Sequence, residues 1–173
     1  MLAGYRNQAT LPPLGPGQAG HPPGLRVDGI PATGAAGYHG HMTRFVLDPA
    51  ALVQLAESGN PVDPAHQLVA PNSLRSLALG LLLSRVRAGK LGEAAALELH
   101  ERMTGQRIRL LGDRVSRRTA WRLAREHGWD TLHDAEYVAV ALLQADALIA
   151  AGPGLAAKAA GIVPLAPLSA LRQ

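Results

Sequence analysis

Residues 44–58, RFVLDPAALVQLAES, decide how this chain is read. RFVLD is a short apolar run that ends on Asp48, and the residue after it is Pro49. A proline suits the first turn of a helix, so PAALVQLAES (49–58) is expected to be helical and the run before it a strand. A short apolar strand passing directly into a helix is the unit from which parallel sheets are built.

The same alternation continues down the chain. LVAP (68–71) is a second brief run, and NSLRSLALGLLLSRVRAG (72–89) a helix with leucines almost all round, which predicts that it is largely buried. GEAAALELHERM (92–103) reads as a helix, RIRLL (107–111) as a strand. DRVSRRTAWRLAREHG (113–128) reads as an amphipathic helix with Val115, Thr119, Leu123 and Ala124 on one face, stopped by Gly128. Trp121 within it is expected to pack inward, and Trp129 to close the following loop. LHDAEYVAVALLQA (132–145) is a nearly continuous apolar helix with its acids in the first turn. ALIA (147–150), PGLAAKAAG (153–161) and IVPL (162–165) close the chain as strand, short helix and last strand. The expected architecture is α/β: three α/β/α layers around a mainly parallel, short-stranded sheet.

Composition sets the limits. Apolar residues make up 47% of the chain but aromatics only 3%, so the core is expected to be aliphatic. The absence of cysteine excludes disulfides, thiolate metal sites and a cysteine nucleophile, and fits a cytoplasmic location. No apolar run is long enough for a membrane span. Residues 1–41 carry nine glycines and six prolines with no apolar period, and read as a disordered Gly/Pro-rich extension ahead of one domain over 42–173. A translation start at Met42 is the alternative. His39 and His41 form an H-x-H pair with no further ligand nearby in sequence.

Gly152, Gly154 and Ala157 fit a G-x-G-x-x-A dinucleotide loop. That reading fails: a ribose-holding acid should follow about 20 residues on, whereas the chain has no Asp or Glu after Asp146.

Two acids stand out. Asp48 ends the first strand, at the edge where open α/β sheets gather their chemistry. Asp134 opens a buried helix, where the positive helix end favours its ionised form. Taken one at a time, each could simply serve its helix terminus.

FVLDPAAL and HDAEYVAVA, with the intervening LVAPNSLRSLAL and the closing ADALIAAGPGLAAKAAGIVPLAP, resemble a PIN domain of the VapC toxin type from about residue 44 to about residue 167. The resemblance implies a PIN-like fold and a ribonuclease in which four acids hold Mg2+ or Mn2+. It also implies a small antitoxin protein as partner, a homodimer and RNA as substrate; with no apolar run of spanning length, no membrane partner is expected. Carried over residue by residue, Asp48 matches the first acid and Asp134 the third, so these two are the expected catalytic and metal-holding residues. The second acid falls on Leu77, and the T.D positions of the fourth on Ala150 and Gly152. ALIAAGPGL therefore looks like an emptied acid position.

Magnesium can be held by one or two carboxylates with waters and phosphates, so two acids do not forbid an ion. Glu136 is expected to turn away from Asp134, two residues on; nothing brings Asp130, Asp146 or His133 in. The eight arginines between Glu101 and Glu126, against three acids, read either as a phosphate-facing surface or as a solvated face. The expected function is a VapC-like ribonuclease with two of four acids replaced and activity weak or lost. The alternative is a non-catalytic PIN-like module that binds RNA or a protein partner.

Overall fold

A computed structural model describes residues 42–172. The extension over 1–41, with its histidine pair, lies outside the described residues. The elements are β1 (Thr43–Leu47), α1 (Pro49–Ser58), β2 (His66–Pro71), α2 (Leu74–Arg87), α3 (Glu93–Gly105), β3 (Ile108–Leu111), α4 (Arg114–His127), α5 (Leu132–Gln144), β4 (Ala147–Ile149), α6 (Pro153–Ala159) and a 3-10 turn (Leu168–Arg172).

The four strands form one sheet in the order β3-β2-β1-β4, and every pairing is parallel. Phe45 pairs with both Leu68 and Ala147, and Val46 with Val69 and Leu148. Side chains alternate across a strand, so Val46, Val69 and Leu148 enter one core with α2 to α6, while Phe45, Leu47, Leu68 and Ile149 enter a second with Ala51, Leu55 and Leu171. Both faces are covered, as a parallel sheet requires. The expected α/β architecture is thus the observed one.

Three expectations of detail are corrected. Only Leu74, Ala78 and Leu82 of α2 are buried, one i, i+4, i+8 stripe, while Leu79, Leu81 and Leu83 are exposed. This helix lies against α1 and α3 on the outside of a layer, so leucines off the stripe meet solvent. IVPL makes a single parallel bridge, Leu148 to Leu165, and not a strand. Pro164 lacks the N–H that a ladder needs. The buried face of α4 is Ser116, Ala120, Leu123 and Ala124, one position on from the expected Val115 and Thr119, and Val115 is exposed. No helix among the described residues is long and apolar enough to cross a membrane.

Candidate functional site

In the order 3-2-1-4 the chain builds outward from β1 to β3 and then returns to the other side of β1 with β4. The gap beyond the ends of β1 and β4 is where sheets of this kind place a ligand crevice. Asp48 stands there, its backbone N–H donating to the Ile149 carbonyl at 3.1 Å.

Asp48 is almost fully buried, and both of its oxygens are taken. Oδ1 accepts the Ala51 backbone N–H at 2.6 Å, so Asp48 is the N-cap of α1, with Pro49 in the first turn. Oδ2 accepts the Gly152 backbone N–H at 2.9 Å, from the loop between β4 and α6. A β-carbon on Gly152 would lie 3.2 Å from that same oxygen. A side chain at this position would need that oxygen or the loop to give way slightly.

Asp134 lies in the first turn of α5. Its Oδ2 accepts from Lys158 Nζ at 2.5 Å, and that ammonium also lies 5.8 Å from the Trp129 ring centre. Trp129 in turn stacks on His127 at 5.2 Å. The expectation that Trp129 closes its loop is incomplete: the ring is half-buried against the core and forms part of the lysine's seat.

One turn further along α5, Tyr137 is buried at 1% exposure. Its hydroxyl makes no hydrogen bond of good geometry among the described residues. Burial pushes its pKa well above the usual phenol range. The neighbouring Ser73 hydroxyl pulls the other way, and the charges of Asp48, Glu136 and Asp134 raise it further. Three carboxylates thus act on one phenol. Glu136 does leave Asp134 round the helix, as expected, but it accepts from Ser73 Oγ at 3.0 Å at the head of α2. Tyr137 lies between the two on the helix, so both reach it.

The remaining residues do not enlarge this group. Leu77 is half-buried in α2 against the core. Asp146 accepts the Arg44 backbone N–H at 2.7 Å, where β1 and β4 begin, the wrong end of the strands. Asp130 and His133 are exposed. Among the described residues, no cluster of three or more His, Asp or Glu is placed to hold a metal ion. A hard divalent cation needs free carboxylate oxygens. Here Asp134 already pairs with an ammonium and Asp48 belongs to no cluster of three such donors among the described residues, so the residues present do not fit the ion that the resemblance implies.

Two participants escaped the sequence reading. Tyr137 belongs to the same DAEY run that singled out Asp134, but its apolar neighbours made it look like ordinary core. Lys158 is the sole charged residue between Asp146 and Arg172, a signal visible in the sequence and not used.

A second feature lies on α4. Trp121, expected to pack, is 60% exposed, and with Arg114, Val115, Arg118, Thr119 and Arg122 it lines a shallow groove of about 710 Å³. Of the helix's five arginines only Arg122 has an ion-pair partner among the described residues, Glu126 at 3.8 Å. The helix is held by Asp113, whose Oδ1 accepts the Ser116 N–H at 2.7 Å. That backbone bond, with the Ser116 hydroxyl, keeps the Asp113 carboxyl below its ordinary pKa.

No family model matches this chain, and no curated protein matches it in sequence. Among solved structures it is similar to the crystal structure of PAE2754 from Pyrobaculum aerophilum, a PIN-domain protein. The TM-score is 0.59 at 24% identity, over 76% of this chain and 95% of that one. The fold is PIN-like. At this identity the likeness concerns the fold, and what the chain does has to be argued from its own side chains.

Proposed function

We propose that this chain is a non-catalytic PIN-like module that binds single-stranded RNA on the exposed face of α4. The observation that carries the reading is the exposure of Trp121 among Arg114, Arg118 and Arg122. Guanidinium groups recognise phosphates and an exposed indole offers a platform for a base, the pairing that sequence-tolerant binding of single strands uses. Loss of hydrolysis is supported by the pairing of Asp134 with Lys158 and by the absence, among the described residues, of a cluster of three acids or histidines.

The test uses the purified full chain and a fluorescein-labelled oligouridylate. Anisotropy should report binding that weakens with salt, with Trp121 fluorescence quenched on saturation. Trp121→Ala is expected to weaken binding about tenfold, the worth of one stacked base. Arg118→Ala should flatten the salt dependence by about 0.7 in log–log slope, as for one lost phosphate contact. The RNA should stay intact with Mg2+ or Mn2+ present. Binding indifferent to both substitutions would remove α4 from the reading, and cleavage abolished by Asp48→Asn would restore the enzyme.

A further inference from the structure

The stretch that follows β4 contacts both Asp48 and Asp134, and it brings a cation to the second. Gly152 and Lys158 belong to the same stretch, the loop after β4 and the helix α6 that follows it. From this stretch come a peptide N–H, donated to Asp48 Oδ2 at 2.9 Å, and an ammonium, 2.5 Å from Asp134 Oδ2. We propose that the Lys158 ammonium is a resident cation that neutralises Asp134 and thereby excludes divalent metal from this pocket. The proposal does not depend on RNA binding by α4.

Three observations support it. The ammonium contact is short and sits over the Trp129 ring, a surface that attracts cations and limits where the lysine head can go. Trp129 is in turn stacked on His127 and packed against the core, so this seat belongs to the folded domain. The ion pair is partly shielded, with side-chain exposures of 37% for Lys158 and 30% for Asp134, so it is less screened than a pair in open solvent. A divalent ion would have to displace the lysine from Asp134. Among the described residues Glu136 has no such cation, its hydrogen-bond partner being the neutral Ser73 hydroxyl. Of these carboxylates, the ammonium pairs with Asp134.

The claim is tested by manganese binding, with no enzymatic readout. Wild-type protein, Lys158→Met and Lys158→Arg are titrated with MnCl2 by isothermal calorimetry, and their melting temperatures followed over the same range. Wild type and Lys158→Arg should show no saturable binding and no metal-dependent rise in Tm. Lys158→Met frees Asp134 and should bind Mn2+ with at least about tenfold higher affinity, seen as a saturable rise in Tm. That gain should vanish in Lys158→Met with Asp134→Asn. Lys158→Gln repeats the experiment should the methionine variant fold poorly, since its polar head tolerates the exposed side of the site. Saturable Mn2+ binding by wild type, unimproved in the neutral variants, would overturn the proposal. So would folded Lys158→Met and Lys158→Gln proteins that bind no better than wild type.

Discussion

The backbone N–H of Gly152 donates to Oδ2 of Asp48 at 2.9 Å, joining positions 104 residues apart across the end of the sheet. Together with the cap on Ala51 at 2.6 Å, this makes Asp48 a buried fastener between β1, α1 and the β4–α6 loop. Asp48→Ala removes an N-cap and leaves a buried N–H without a partner. The expected loss is about 2–4 kcal/mol, summing a typical cap with one unsatisfied donor. Urea unfolding with an unchanged m-value measures it. Asp48→Asn keeps one acceptor but turns its amide toward one of the two donors, so its loss should be smaller. Equal stability of Asp48→Ala and wild type would show that the carboxylate does not fasten these elements.

Gly152→Asp places a carboxylate where the sequence resemblance implies one, against an oxygen that a β-carbon there would approach to 3.2 Å. Two carboxylates so close cannot both ionise cheaply, and one member of the pair has its folded pKa raised. A raised folded pKa contributes stability below the unfolded value, about 4 for a carboxyl, that is lost as pH rises through the folded value. The variant should therefore lie furthest below wild type near neutral pH and draw level in acid. A stability difference independent of pH would mean that the new side chain points out of the pocket.

How far the sequence could go is clearest at this pocket. The order of strands and helices, and the placing of Asp48 at the end of β1, were legible because apolar runs and Pro49 are local signals. Gly152 drew notice through the resemblance, which implies an acid there; its N–H on Asp48 had no signal in the sequence. What the acids do in their place was not legible. Whether Asp48 meets a metal or two peptide N–H groups depends on how closely a loop more than a hundred residues away approaches. On α2 and α4 the miss has another cause: a run such as LALGLLL fits several buried stripes, and the neighbouring elements choose among them. On α4 the face was half legible: Leu123 and Ala124 are buried as expected, while Ser116 and Ala120 take the places expected for Val115 and Thr119, and Trp121 lies about 200° round the helix from Leu123.

Tyr137 offers a prediction in alkaline solution. Burial first, then the three surrounding carboxylates, hold its pKa well above the ordinary phenol value of 10.0 in the folded protein. The raised value means that the folded state keeps a proton which the unfolded state releases. Stability is therefore complete below about pH 10 and falls as pH climbs toward the folded value. Tyr137→Phe should flatten that alkaline decline. At neutral pH it should cost less than about 1 kcal/mol, because the hydroxyl it removes has no partner of good geometry. Ultraviolet titration gives an independent reading: of the chain's three tyrosines, one should ionise only as the protein unfolds. An identical alkaline limb in the phenylalanine variant would assign the effect elsewhere.

The corrected face of α4 separates two residues only two positions apart. Trp121 is 60% exposed and Leu123 4%. Had the tryptophan packed inward, truncating it would open a large cavity and cost about 3–5 kcal/mol. On the observed face Trp121→Ala should change stability by less than about 0.5 kcal/mol, as substitutions of exposed side chains generally do. Leu123→Ala removes a side chain buried with Ala120 and Ala124 and should cost about 2–4 kcal/mol. Both are measured by urea unfolding, on the same variants used for RNA binding. The combination of an unperturbed fold and weakened RNA binding in Trp121→Ala is the signature expected of a contact residue. A Trp121→Ala protein that unfolds as readily as Leu123→Ala would return the indole to the core and take the stacking platform with it.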